Sequence, residues 1–133
     1  MLIIFNKPYG VITQFTEHPT FKSLKDFIPH KNIYPAGRLD ADSEGLVILT
    51  DNGHLQNKLS NPSNNTEKKY FAQVENIPDK DALLRFEEGI KISSYNTKRC
   101  KVKLIQQPKL WKRNPPIRTV SYTHLTLPTK LSV

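Results

Sequence analysis

Cysteine is nearly absent from this chain of 133 residues. Cys100 stands alone, so no intrachain disulfide can form and a reducing compartment suits the protein. Long apolar runs are missing too. Met1-Leu2-Ile3-Ile4-Phe5 is too short for a signal-peptide core, and Asn6-Lys7-Pro8 follows at once. The expectation is a soluble, cytoplasmic protein with no membrane partner. The four histidines (His18, His30, His54, His124) lack metal-ligand spacing, and no cysteine pair supports them, so no metal centre is expected. Negative charge is scarce: 12 Asp/Glu face 20 Lys/Arg, giving a formal net charge of +8. That balance points to a polyanionic partner. The excess is also one-sided. Residues 1 to 66 hold six Lys/Arg and six Asp/Glu, whereas residues 67 to 133 hold fourteen and six. A basic half of this kind is the footprint expected of nucleic-acid binding, although lysines also serve plain solubility.

The length suits one modest domain, and a hydrophobic content of 37% allows a lean core. Leu2 to Phe5 reads as a buried strand broken by Pro8 and Gly10, and Val11 to Phe15 alternates as a second strand, which predicts a hairpin. Ser23 with Asp26 caps a short helix carrying Leu24, Phe27 and Ile28, stopped by Pro29. Thr50 or Asp51 caps a helix with Leu55 and Leu59 on one face. Ser60 to Thr66 is an exposed loop. Lys68 to Glu75 alternates as a strand with Tyr70, Ala72 and Val74 on one side. Pro78-Asp79 opens an amphipathic helix with Leu83, Phe86 and Ile90 in phase and Gly89 at its end. Lys98, Arg99, Lys101 and Lys103 form a basic ladder leading into Val102, Leu104 and Ile105, the pattern of an exposed edge strand or of a strand that tracks phosphates. Leu110 to Arg118 then interleaves Trp111, basic residues and Pro115-Pro116, a pattern suited to RNA contact or to anchoring a loop.

The most informative stretch is Gly37-Arg38-Leu39-Asp40-Ala41-Asp42-Ser43-Glu44-Gly45, running into Leu46-Val47-Ile48-Leu49. One arginine and three carboxylates before a buried strand is not something packing asks for, because ionised groups beside a core are costly unless paired or used. A competing pattern shares these letters. Asp40, Asp42, Glu44, Gly45, Val47 and Asp51 fall at positions one, three, five, six, eight and twelve of an EF-hand loop. That reading needs a helix on each side, whereas Tyr34-Pro35-Ala36-Gly37 leads in and an aliphatic run leads out.

The same residues resemble the motif G-R-L-D-x-x-S-E-G-L of the bacterial ribosomal pseudouridine synthases of the RsuA type. Lys7-Pro8-Tyr9-Gly10 is similar to the family's K-P-x-G element, and Lys68 with Tyr70 to its K-x-Y motif. Trp111-Lys112-Arg113-Asn114-Pro115-Pro116-Ile117-Arg118 looks like the branch that modifies the large ribosomal subunit, as does the absence of a preceding S4-like domain. The resemblance covers roughly residues 2 to 118. It implies an α+β pseudouridine synthase catalytic fold with a mixed, mainly antiparallel sheet and short helices. It makes Asp40 the catalytic aspartate and Tyr70 the aromatic platform for the detached uracil, and places Arg38 beside the flipped nucleotide. Lys68, Lys69, Arg113 and Arg118 become the RNA-binding residues. The implied reaction isomerises a specific uridine of 23S ribosomal RNA, uses no cofactor and suits a monomer.

Residues 120 to 133 depart from the family pattern, which would continue into G-x-N-R-Q-V-R-R-M. The expectation is therefore a partial catalytic domain over 1 to 119, with a foreign or disordered tail over 120 to 133. Without the arginine of that third motif, weak or absent activity is expected. The alternative is a non-catalytic, basic RNA-binding domain, which would use the same cations and Tyr70 without the chemistry of Asp40.

Overall fold

The computed structural model describes residues 1–74, 76–106 and 108–112, and the strand backbone of 123–129. It is an α+β chain in two compact units, one built on Met1–Asn61 and the other on Pro62–Trp111 with the strand at Thr123–Thr129.

The first unit is organised by a three-stranded antiparallel sheet of β1 (Leu2–Lys7), β2 (Tyr34–Pro35) and β3 (Gly45–Thr50), in the order β1-β3-β2. The two long strands pair from Leu2 opposite Thr50 to Lys7 opposite Gly45. Because side chains alternate across a strand, this register turns Ile3, Phe5, Val47 and Leu49 to one face. There they meet Leu24, Ile28 and Ile33, with Phe15 and Leu39 at the margin, to form the core. Leu2, Ile4 and Leu46 take the opposite face and remain exposed. The aliphatic, β-branched run Leu46-Val47-Ile48 thus forms a strand whose alternate residues see different environments.

The expected hairpin partner of β1 is not a strand. Gly10 takes a left-handed turn (φ +78°), and Val11 makes only an isolated parallel bridge to Lys22. The alternation of Val11 to Phe15 instead reports a chain that dips Val11 and Thr13 into the interior between polar neighbours. The strand that does pair with β1 comes from beyond the loop, 38 residues further on (45 − 7 at the Lys7–Gly45 end). Ser23 and Asp26 form the expected capping box, but on a single 3₁₀ turn, Leu24–Asp26. The next helix, α1 (Gly53–Ser60), is capped by Asn52, whose side chain accepts from the Leu55 N–H at 3.0 Å. Thr50 is engaged otherwise: it is buried and its hydroxyl donates to the Met1 carbonyl.

In the second unit β4 (Lys68–Val74) and β7 (Lys103–Ile105) both pair antiparallel with β8 (Thr123–Thr129), in the order β4-β8-β7. Between them α2 (Lys80–Glu88) is capped by Asp79 and ends at Gly89, and a two-stranded ribbon follows, β5 (Lys91–Ile92) with β6 (Tyr95–Asn96). The basic ladder ends in β7 at the sheet margin, as the charge pattern suggested. Within the region expected to lie outside the family pattern, Thr123–Thr129 is a paired strand.

Leu49 is fully buried and Leu46, three residues earlier on the same strand, is 62% exposed. Leu49→Ala should therefore lower the unfolding free energy by about 3 kcal/mol, whereas Leu46→Ala should change it by less than about 0.5 kcal/mol, in chemical denaturation. Equal losses would mean that β3 does not present the faces described.

Candidate active site

The loop from Gly37 to Gly45 joins β2 to β3, and both bounding glycines have positive φ (+115° and +133°). No heavy atom lies where a Cβ would be added to either, so backbone conformation alone calls for glycine there. Inside the loop, Ser43 N–H donates to the Asp40 carbonyl at 3.1 Å, closing a turn over Ala41-Asp42.

The turn after β1 holds this loop from below. Lys7 is fully buried, and its ammonium donates to the carbonyls of Val11 (2.6 Å), Ser43 (2.6 Å) and Pro8 (3.1 Å). An ammonium carries three N–H donors, and three carbonyls receive them. Burial pushes the Lys7 pKa below the ordinary lysine value, while the nearby negative charges of Asp42, Asp40 and Glu44 push it back up. Three further hydrogen bonds complete the attachment. Gly10 N–H donates to the Ala41 carbonyl at 2.6 Å, and the buried Thr13 hydroxyl bonds both main-chain groups of Leu39.

Against this fixed backbone the charged side chains point outward. Arg38, Asp40 and Asp42 are exposed, and Glu44 is half-buried. Asp40 and Asp42 therefore avoid the desolvation cost that their closeness to an apolar strand suggested. The EF-hand reading fails on the flanking elements, since the stretch runs from one strand into another, whereas a calcium loop of that kind joins two helices.

Arg38 and Asp40 thus share one loop of the first unit. Lys68, Lys69 and Tyr70 share β4 of the second, with Lys69 exposed and Lys68 and Tyr70 half-buried. Tyr70, Ala72 and Val74 lie at alternate positions of that strand and are all half-buried. Arg113 and Arg118 lie outside the described residues. In the sequence Lys7 stands out only as part of a turn, and Thr13 does not stand out at all. Lys7 could have been found through the K-P-x-G likeness, whereas nothing in the local pattern marks Thr13.

The loop is thus flanked by strands and exposes an aspartate, while a buried lysine and Thr13 fix its backbone. The family model for RNA pseudouridylate synthase matches residues 1–124, and the chain belongs to that family. It is similar to ribosomal large subunit pseudouridine synthase E of Vibrio vulnificus, 48% identical over 117 residues, which cover 88% of this chain and 50% of that protein. The protein of the same name in Xanthomonas axonopodis pv. citri is 40% identical over 121 residues, covering 89% of this chain and 64% of the relative. The dual-specificity RNA pseudouridine synthase RluF of Escherichia coli is 38% identical over 104 residues, covering 77% and 36%. A solved structure described as a pseudouridylate synthase shares the fold, with a TM-score of 0.74 at 22% identity over 95% of this chain and 50% of that one. The chain spans about half the length of the first two curated relatives it matches.

Replacing Lys7 by Met removes the donor to three carbonyls and should cost about 3 kcal/mol of stability in denaturant unfolding. A lysine whose folded pKa lies below its unfolded one penalises the fold while charged, and the penalty fades as pH rises through the folded value towards the unfolded one. The stability advantage of wild type over Lys7→Met should accordingly widen from neutral pH towards the ordinary lysine pKa. A difference that stays flat or narrows would contradict the burial of this ammonium.

Proposed function

We propose that this chain carries the catalytic loop of a site-specific pseudouridine synthase that acts on 23S ribosomal RNA as a cytoplasmic monomer. The observation that carries the reading is the Asp40 loop itself, with its main chain tied to the Lys7 turn and its aspartate exposed to solvent. Membership of the pseudouridylate synthase family and similarity to relatives named for the large ribosomal subunit support the choice of reaction and substrate.

The reaction breaks the bond between ribose C1′ and uracil N1, turns the base, and joins C1′ to C5, with the C5 proton lost and N1 protonated. Atoms and electrons balance within the nucleotide and the exchanged proton, so the chemistry calls for no metal, nucleotide or redox cofactor. It does call for a carboxylate at the ribose and base, and Asp40 fills that role. The target uridine must leave its stack, and Arg38, two residues before Asp40, is suited to the space it vacates. Tyr70 supplies an aromatic face for the loosened base, and Lys68, Lys69, Arg113 and Arg118 hold phosphates.

The test compares wild type with Asp40→Asn on undermodified 23S ribosomal RNA. It uses this chain and a fusion to the remaining half of the Vibrio vulnificus relative, because the chain spans about half of that protein. The expected result is pseudouridine from the wild-type fusion, none detectable from Asp40→Asn, and unchanged RNA affinity in both. Equal, nonzero conversion by the two proteins would remove Asp40 from the chemistry. Tight RNA binding with no conversion by any wild-type form would leave a basic RNA-binding domain.

A further inference from the structure

We infer that Thr13 is a positioning residue for Asp40: one buried hydroxyl, bonded to both main-chain groups of Leu39, sets the direction in which the adjacent aspartate is presented. The inference rests on the role proposed for Asp40.

Thr13 is 4% exposed and lies 26 residues before Leu39. Its Oγ1 donates to the Leu39 carbonyl at 2.8 Å and accepts from the Leu39 N–H at 3.1 Å. A hydroxyl is suited to this pair because a single oxygen both donates and accepts. The contact fixes the peptide planes on both sides of the Leu39 Cα, and the second of those planes contains the Asp40 nitrogen. Gly10 N–H fixes the Ala41 carbonyl on the far side of Asp40, and Lys7 fixes the carbonyl of Ser43. Asp40 is thus flanked by anchored residues before and after it. Gly10 anchors through its main chain, and Lys7 reaches the loop three residues beyond Asp40, so among the described residues Thr13 is the side chain hydrogen-bonded to the main chain of the residue before the aspartate.

A stabilising core hydroxyl and a positioning hydroxyl make different predictions. The first affects how much protein is folded, whereas the second affects how fast folded protein turns over at saturating RNA. Misplacing a reactive group by about 1 Å can cost on the order of a hundredfold in rate. In the fusion used above, Thr13→Val keeps the shape of the side chain and removes both bonds. Its kcat per folded molecule should fall roughly tenfold to a hundredfold, with KM unchanged and faster hydrogen exchange at the Leu39 amide. Thr13→Ser, which keeps the hydroxyl, should recover most of the rate and the protection.

Wild-type kcat in Thr13→Val, alongside an inactive Asp40→Asn, would overturn the inference and leave the pseudouridine synthase reading intact. So would a Thr13→Ser variant as slow as Thr13→Val. If Thr13→Val does not fold, Thr13→Cys, with a weak donor and acceptor of similar size, is judged by the same split between kcat and KM. If wild type makes no pseudouridine, it is the reaction that was misassigned. Thr13 is then judged on Leu39 exchange, which must quicken in the Val variant and not in the Ser variant.

Discussion

The first unit depends on how a buried ammonium is satisfied. A lysine taken out of water is costly unless its three N–H groups find acceptors, and Lys7 finds them on Pro8, Val11 and Ser43. Two of these acceptors belong to the turn that leaves β1 and the third to the loop that enters β3. The bond therefore fuses two segments that are remote in sequence. Strand register makes this possible. Lys7 sits opposite Gly45, so its side chain, on the core face with Ile3 and Phe5, emerges beneath the residues just before β3. A slip of one residue would send Lys7 to the outer face and bring Ile4 inward, releasing the loop and disrupting the core together. The packing of the sheet and the shape of the loop are thus a single constraint.

That constraint separates what is fixed from what is available. The main chain on both sides of Asp40 is bonded through Leu39, Ala41 and Ser43, while Asp40 itself is exposed. For a group that must meet a substrate, this division is effective, because the conformational cost of ordering the backbone is met during folding and does not recur on binding. Charge is divided as well. The loop and its buried lysine are close to local balance, and the cationic excess lies in the second half of the chain. Under the proposed function, Asp40 in the first half is the reactive group and the cations of the second half attract phosphates.

Much of this was legible in the sequence where one local rule decided the outcome. β3 followed from its aliphatic run, α2 from Asp79 and Gly89, and the short turn at Leu24 from the Ser23–Asp26 capping box. The loop stands out in the sequence as a candidate site because its letters are hard to explain by packing. What failed was long-range. Val11 to Phe15 alternates like a strand, yet β1 already pairs with β3, and Val11 and Thr13 are drawn inward singly. Lys7 looked like an ordinary turn cation because burial of its ammonium depends on acceptors as far away as Ser43, which no window around Lys7 contains. The two readings of the acidic loop were separated by what flanks it, and the strands on both sides decide against the helix-bounded calcium loop.

Leu39 joins these levels. Its main chain is held by Thr13, and its side chain packs against the cluster of Leu24, Ile28, Ile33, Val47 and Leu49. Asp40 is the next residue, so an exposed carboxylate is one peptide bond from a group gripped on both its polar and its apolar sides. Close-packed interiors transmit displacement because they contain little free volume to absorb it. A change in core volume beside Leu39 would therefore move the Asp40 backbone even though no core side chain is part of the loop. In so lean a core, the residues that stabilise the sheet and those that aim the aspartate overlap, and Leu39 belongs to both sets.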